Sequence, residues 1–374
     1  MNQTIKVLHL LDSVNRGGAE TQVLDICRNA SRFGLEMTLV TAGGGVLEND
    51  FRDSGVEFIR LDRKLPVDVY FASQLRKIIK ERSIEVVHGY QAVEGLHLFL
   101  ATRGLKNVKR VMSFQGFIPG RKNRITAKLV APLMDANISV SESLFGYLDG
   151  IGIKRRKNFH VVYNGADEKR LKATGGSIKN ELHLEANTLL AGMVANFTAD
   201  PTKDQLTICR ALPRVIEQFP NLHFVFAGRV ADGAEDKMAE CLEVCIANHI
   251  VDNVHFLGAR PDVPDILDEL DLFVFSSRQE GFPVAVSEAM LADVPLIVSD
   301  IEPLREAVCD GELGDLFETG NHQDLSSKIG DLLGNERKRA ALAKNAREYA
   351  REKFSIDAHL RGLRDLYSKL LTEK

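Results

Sequence analysis

Short runs rich in Val, Ile and Leu alternate with longer amphipathic segments from one end of the chain to the other. In the first half, 5–11, 37–41, 57–61, 84–88, 108–113 and 137–140 read as strands, with helical patterns at 19–33, 71–82 and 94–103. In the second half, 189–195, 223–227, 254–257, 272–275 and 296–299 repeat the theme. Strands alternating with helices imply parallel sheets covered on both faces. Two such sets in tandem imply an α/β chain of two doubly wound, Rossmann-like domains, and 374 residues is the length for two cores. Ligands of such sheets sit beyond the carboxyl ends of the strands, so facing domains would enclose the site in a cleft. The break is expected near Val161-Val162-Tyr163-Asn164-Gly165-Ala166-Asp167, where a strand ends in an Asn-Gly turn signal. The expected domains are 1–164 and 165–353, with a last helix, 354–374, packing back toward the first domain.

Composition excludes several classes. Hydrophobic residues at 44% offset chain entropy, so global disorder is excluded. No apolar run approaches the roughly 18–20 residues of a membrane span. Residues 1–11 hold one strand-length apolar run and no cleavage-like segment, so no secretory leader is expected. Five scattered cysteines without a CxxC pair suit reduced thiols in a cytoplasmic protein. Cys241 and Cys245 share a helix face but lack His or Cys neighbours in sequence, so no metal site is expected there. The net charge of −4 divides into +8 over 1–164 and −12 over the rest, and 100–160 carries 12 basic against 3 acidic residues. That stretch is either an ordinary solvated face or a surface for anionic headgroups or an anionic acceptor. No zinc finger, RNP motif or basic heptad supports nucleic acid.

Two segments carry chemical signals. Asn15-Arg16-Gly17-Gly18-Ala19-Glu20 follows the first strand and opens a helix, where backbone N–H groups can meet an anion. A plain turn needing positive φ explains the glycines equally well. Neither this loop nor Gly43-Gly44-Gly45 matches the dinucleotide fingerprint GxGxxG. The stronger segment runs Arg278-Gln279-Glu280-Gly281-Phe282-Pro283-Val284-Ala285-Val286-Ser287-Glu288-Ala289. Pro283 suits the first position of a helix, leaving Glu280 in the loop ahead and Glu288 on the helix. Without further context, Glu280 reads as a helix cap and Glu288 as a surface carboxylate.

Seven residues separate Glu280 from Glu288, and the segment resembles the EX7E motif of the retaining GT-B glycosyltransferases of family four, also called group 1. Gly17-Gly18-Ala19-Glu20 resembles that family's GGAE loop, Ser139-Val140-Ser141-Glu142 its VSE strand end and Val162-Tyr163-Asn164-Gly165-Ala166-Asp167 its PNGVD hinge. Val254-His255-Phe256-Leu257-Gly258 resembles its VxFLG strand. The likeness spans nearly the whole chain.

The resemblance implies a GT-B fold and transfer of a sugar from a nucleotide-sugar donor to a saccharide or lipid-linked acceptor in surface polysaccharide or lipopolysaccharide assembly; the sequence does not reveal the donor's base, and UDP, then GDP, is expected only as the commonest. It implies that Glu288 holds the ribose hydroxyls and Glu280 lies near the reacting carbon. Gly281, Phe282 and Pro283 would present backbone to the sugar and diphosphate, with Gly17 and Gly18 facing the diphosphate from the first domain. Lys203 fits the family's diphosphate lysine, whereas Asn196 stands where an arginine is usual. Gln115, in Ser113-Phe114-Gln115-Gly116-Phe117, replaces the histidine of a TxHG strand end; it can hydrogen-bond a sugar but carries no positive charge. Lys203, helix N-termini and loop amides would stabilise the leaving diphosphate with neither a metal nor any other cofactor. Retention of configuration is a family inference only.

His88 ends a strand and either faces the cleft or is structural, and Arg229 and Arg260 either reach the nucleotide or are surface residues. The interleaved apolar and basic residues of 117–124 read as a loop, suited to peripheral contact at the inner face of a membrane or simply mobile. Two alternatives are a catalytically silent nucleotide-sugar-binding protein, motivated by Gln115 and Asn196, and an NAD-dependent oxidoreductase, opposed by the missing fingerprint.

Overall fold

Runs such as Ile5–Leu11, apolar at nearly every position, suit strands buried on both faces rather than the alternating strands of a half-exposed sheet. In the computed structural model, which describes residues 4–15, 17–118, 120–154 and 156–373, these runs assemble into two units. The first comprises Met1–Gly165 with Ile356–Lys374, and the second Ala166–Ser355.

The first unit's sheet holds β1 (Ile5–Leu11), β2 (Leu35–Thr41), β3 (Glu57–Arg60), β4 (Val86–Gly89), β5 (Lys109–Phe114), β6 (Ala136–Ser139) and β7 (Phe159–Val161). Their order is β3-β2-β1-β4-β5-β6-β7, all neighbours parallel. The crossovers are α1 (Gly18–Asn29), α2 (Glu48–Arg52), α3 (Val69–Glu81), α4 (Ala92–Thr102), α5 (Arg121–Val130) and α6 (Glu142–Gly150). The strand order reverses between β1 and β4, so the switch point lies where Asp12–Asn15 and Tyr90–Gln91 leave the sheet.

In the second unit, β8 (Leu189–Val194), β9 (Leu222–Ala227), β10 (Val254–Gly258), β11 (Leu272–Phe275), β12 (Leu296–Ser299) and β13 (Asp315–Phe317) order as β10-β9-β8-β11-β12-β13, again parallel. Around them lie α7 (Ile178–Glu181), α8 (Gln205–Gln218), α9 (Glu235–Ala247), α10 (Val263–Glu269), α11 (Val284–Leu291), α12 (Glu302–Ala307), α13 (His322–Leu333) and α14 (Glu336–Lys353). The switch point falls between β8 and β11. The last helix, α15 (Ile356–Thr372), returns to the first unit. Its Leu360, Leu363 and Tyr367 join Val7, Val23 and Ile26 in one buried cluster.

A buried polar chain ties α15 to the first sheet. Tyr367 Oη lies 2.6 Å from His88 Nδ1 and 3.2 Å from His9 Nε2; His88 Nε2 meets Ser113 Oγ at 2.7 Å, and His9 Nδ1 meets Tyr90 Oη at 2.7 Å. His359 Nδ1 meets the Tyr163 carbonyl at 2.6 Å. Burial holds His9 down to about 3 and His359 to about 4, and drives His88 well below its usual value. His88 is therefore a structural residue, correcting the cleft-facing reading.

Three further readings need correction. Residues 121–124 begin helix α5 rather than continuing a loop. Pro283 is the N-cap of α11, not its first helical residue. Cys241 and Cys245 do have a thiol neighbour, Cys209 on α8, whose own thiol they push well upward; among the described residues no His, Cys, Asp or Glu cluster is built to hold a metal. Arg16 of the glycine loop and Pro119 of the basic segment lie outside the described residues.

Candidate active site

The loops that leave β8 and β11 join at the second switch point. Arg278 N donates to the Thr202 carbonyl at 2.7 Å and Asp204 N to the Ser276 carbonyl at 3.1 Å, with Lys203 and Ser277 bridged antiparallel. Sequence-distant segments are thereby fixed against each other at the carboxyl edge of the sheet, where doubly wound folds bind ligands. Lys203 points into this junction. Its ammonium is ion-paired with Glu280 and lies 4.6 Å from the Phe275 ring centroid. Glu280 also accepts from Ser277 Oγ at 2.7 Å. Asp204, the N-cap of α8, accepts from Thr207 N at 3.3 Å and pairs with Arg278 at 2.9 Å.

Glu288 lies on α11, a helix buried nearly all round. Its side chain is 10% exposed and pairs with Arg170 Nη2 at 2.6 Å. A carboxylate this enclosed needs a charged partner, because an unpaired buried charge is costly. Arg170 went unnoticed in the sequence: a lone arginine after the Asn-Gly turn, in no motif, gives no sign of its partner 118 residues away. Phe282 is buried against Phe354, ring centroids 4.8 Å apart, so the backbone of Gly281, Phe282 and Pro283 is held from beneath.

Asn196, in place of the usual arginine, is a clamp between loops. Its Oδ1 accepts from Arg229 N at 3.0 Å and its carbonyl from Gln205 Nε2 at 3.2 Å. Gly228 makes this possible, since a Cβ there would sit 2.1 Å from the Ala195 carbonyl oxygen. Arg260 is bound to Glu181 and Asp262 at 2.7 and 2.6 Å, which corrects its candidacy for the nucleotide; the Arg229 side chain is exposed.

In the first unit, Gln115 follows β5, and its Oε1 accepts from Asn164 Nδ2 at 3.1 Å, which leaves the amide N–H groups as its donors. Gly17 caps α1 in an extended conformation, φ −148°, so no positive φ requires it. Gly45, in the neighbouring loop, is the constrained glycine: a Cβ would lie 2.3 Å from the Val14 carbonyl carbon. Leu47 N donates to the Val14 carbonyl at 2.9 Å, so the loop after β2 buttresses the loop after β1. Burial raises the Glu20 carboxyl, on the first turn of α1, from its ordinary value. Glu94 is fully buried beneath the same switch point, where burial pushes it up to about 8 although Tyr90 N donates to it.

The second switch point thus gathers Lys203, Glu280 and Ser277, with Glu288 and Arg170 in the same unit. The first unit separately presents Gln115 and the Gly17-Gly18 helix start. The family model for glycosyl transferases group 1 matches residues 177–349, and the model for glycosyltransferase family 4 matches residues 16–170. A Campylobacter jejuni N,N'-diacetylbacillosaminyl-diphospho-undecaprenol alpha-1,3-N-acetylgalactosaminyltransferase is 30% identical, over 73% of this chain and 68% of its own. An Escherichia coli UDP-Gal:alpha-D-GlcNAc-diphosphoundecaprenol alpha-1,3-galactosyltransferase is 26% identical, over 99% of this chain and 97% of its own. Among solved structures, Anabaena HepE in complex with UDP matches with a TM-score of 0.85 at 20% identity, over 98% of this chain and 100% of its own, a likeness of fold. Both halves match in order, and a 30% identical relative is covered over two thirds of its length. The chain is therefore a glycosyltransferase of group 1, family 4, built on the GT-B fold.

Proposed function

We propose that this chain moves a sugar from a UDP-sugar to a lipid-linked diphosphate saccharide, with retention of anomeric configuration, as a step in surface polysaccharide assembly. The observation that carries the reading is the Lys203–Glu280 pair at the switch point of the second sheet, with the cation-paired Glu288 in the same unit. The acceptor class is taken from the two relatives whose names specify diphospho-undecaprenol acceptors, and UDP from the ligand of the Anabaena structure.

Bond breaking leaves negative charge on the departing diphosphate. Lys203, half-buried and braced on Phe275, is placed to exchange Glu280 for that charge as it develops. A cation fixed in advance costs little reorganisation at the transition state. Glu280, steadied by Ser277, then faces the sugar as the electron-deficient carbon forms. Glu288, held by Arg170, keeps a carboxylate oxygen for the ribose diol. Gln115 offers donors to a sugar hydroxyl. No metal or other cofactor enters this reading.

Thermal unfolding with UDP, GDP, ADP and NAD tests donor binding; a ligand at about a hundred times its Kd adds about 2.7 kcal/mol. UDP is expected to raise the midpoint. A second assay follows label from the UDP-sugar to a diphosphate lipid. Stabilisation by UDP with neither transfer nor slow donor hydrolysis would favour the silent-binding alternative, which Gln115 and Asn196 motivate. Stabilisation by none of the four would overturn the donor assignment. Family membership sets the oxidoreductase alternative aside.

A further inference from the structure

Asn164, 3% exposed, stands in the Asn-Gly turn that follows β7. Asn-Gly pairs are common in turns because both residues accept positive φ. Neither Asn164 nor Gly165 has positive φ, so the backbone does not call for an asparagine. Its side chain instead meets Gln115, with Nδ2 donating to Gln115 Oε1 at 3.1 Å. Phe114, Ser139 and Val161 lie level across β5, β6 and β7. Gln115 and Asn164 therefore leave the sheet two strands apart, and their amides meet beyond the end of β6. The backbone ahead of Asn164 is held twice. Val162 N donates to the Ser139 carbonyl at 3.1 Å, and His359 Nδ1 donates to the Tyr163 carbonyl at 2.6 Å.

A side-chain amide can turn either end to a partner, and the two ends have opposite polarity. Asn164 Oδ1 is enclosed and has no hydrogen-bond partner. Reversing that amide would put two N–H groups in the enclosure, and a buried N–H without a partner is rarer than a buried carbonyl without one. The Nδ2 end therefore stays toward Gln115 and holds its Oε1. Gln115 Nε2 is left without a partner among the described residues. We propose that Asn164 is a positioning residue: it fixes the polarity of Gln115, so that Gln115 donates to an oxygen of the transferred sugar and cannot accept from it. The proposal rests on the UDP-sugar reading above. It also explains how the chain tolerates glutamine where a histidine is usual. An imidazole N–H and an amide N–H both donate, so the exchange gives up charge and keeps polarity. Without such a neighbour, a glutamine could turn its carbonyl to the sugar as readily as its N–H groups.

Calorimetric titration with UDP, UDP-glucose, UDP-galactose, UDP-N-acetylglucosamine and UDP-N-acetylgalactosamine tests it, with the tightest of the four UDP-sugars as the probe. The wild type is expected to bind that probe more tightly than UDP. Asn164→Asp has no N–H to give, so Gln115 must turn its Nε2 inward. Affinity for the probe should then fall about tenfold, while that for UDP stays within about twofold. Gln115→Glu keeps Asn164 and its hydrogen bond but lacks the N–H end, and should lose as much of the probe affinity. Asn164→Asp combined with Gln115→His lets the new carboxylate hold one imidazole N–H, and only the protonated ring keeps a second for the sugar. Probe affinity should return to within about threefold of wild type near pH 6, and fall again toward about pH 8.5 as the ring loses its proton. An asparagine with a purely structural role would give no such pH dependence. Wild-type probe affinity in either folded single variant would overturn the proposal. So would a double variant that stays at the Asn164→Asp level at every pH, or a wild type that binds no UDP-sugar better than UDP. Should Asn164→Asp lower the thermal midpoint, Gln115→Glu and the double variant carry the test. Titration reads binding, so the expected affinities without any transfer would sink the transfer reading and still support this one.

Discussion

Arg170 and Lys203 each hold one glutamate of the spaced pair, and the two contacts lead to different expectations. Glu288→Ala should weaken UDP binding at least tenfold, about 1.4 kcal/mol, with the far-UV spectrum unchanged; an unchanged Kd by calorimetry would remove Glu288 from the nucleotide site. Lys203→Ala should chiefly lower turnover, by tenfold or more, and a smaller loss would count against its place opposite the leaving group. Glu280, Glu288 and Lys203 could be singled out in the sequence because each lies in or beside a short motif that resembles the family's, and a motif is a local fact. Arg170, Ser277 and Asn164 were not, because their partners are set by tertiary folding. Asn196 and Gln115 stood out only as departures from a pattern. The structure shows what they do: one ties adjacent loops together, and the other has its carbonyl taken up by Asn164.

At the level of loops and helices, the two kinds of glycine differ in tolerance. Gly45→Ala would drive a methyl into the Val14 backbone, which cannot yield without moving the loop ahead of α1, and should cost about 1–3 kcal/mol. Gly146→Ala, at an exposed position of α6 with nothing within 4 Å of the new Cβ, should instead stabilise by about 0.5–1 kcal/mol. Urea titrations of both variants check the contrast; equal midpoints would show that the loop is not braced by Gly45. Most strands were legible for the reason that makes them strands: burial on both faces leaves continuous apolar runs. β13 escaped because Asp315–Phe317 is a three-residue edge strand. Residues 121–124, the start of α5, read as loop because Arg-Lys-Asn-Arg offers no apolar position to mark a helix face.

For the whole molecule, the buried imidazoles set a pH dependence. Their folded values lie below the ordinary one, so the unfolded chain takes up protons first as pH falls. The stability they contribute is whole above about 6.5 and is lost toward 4, at about 1.4 kcal/mol per pH unit for each. Glu94, raised to about 8, acts the other way: it favours the fold when protonated, and its contribution fades as pH climbs toward that value. His9, His88 and His359 outnumber it, so the urea midpoint should fall between pH 7 and pH 5. The chain lacks tryptophan, and five of its six tyrosines lie in the first unit, so tyrosine emission reports that unit; equal midpoints would contradict neutral burial of the histidines. The same unit depends on residues 356–373, whose Leu360, Leu363 and Tyr367 fill its core. On the ribosome, the half that is made first must therefore wait, its apolar face open, until the last helix clears the exit tunnel. The half made second is contiguous and has all its strands before then, so the order of completion reverses the order of synthesis and leaves the nascent first half exposed to chaperones and proteases throughout elongation.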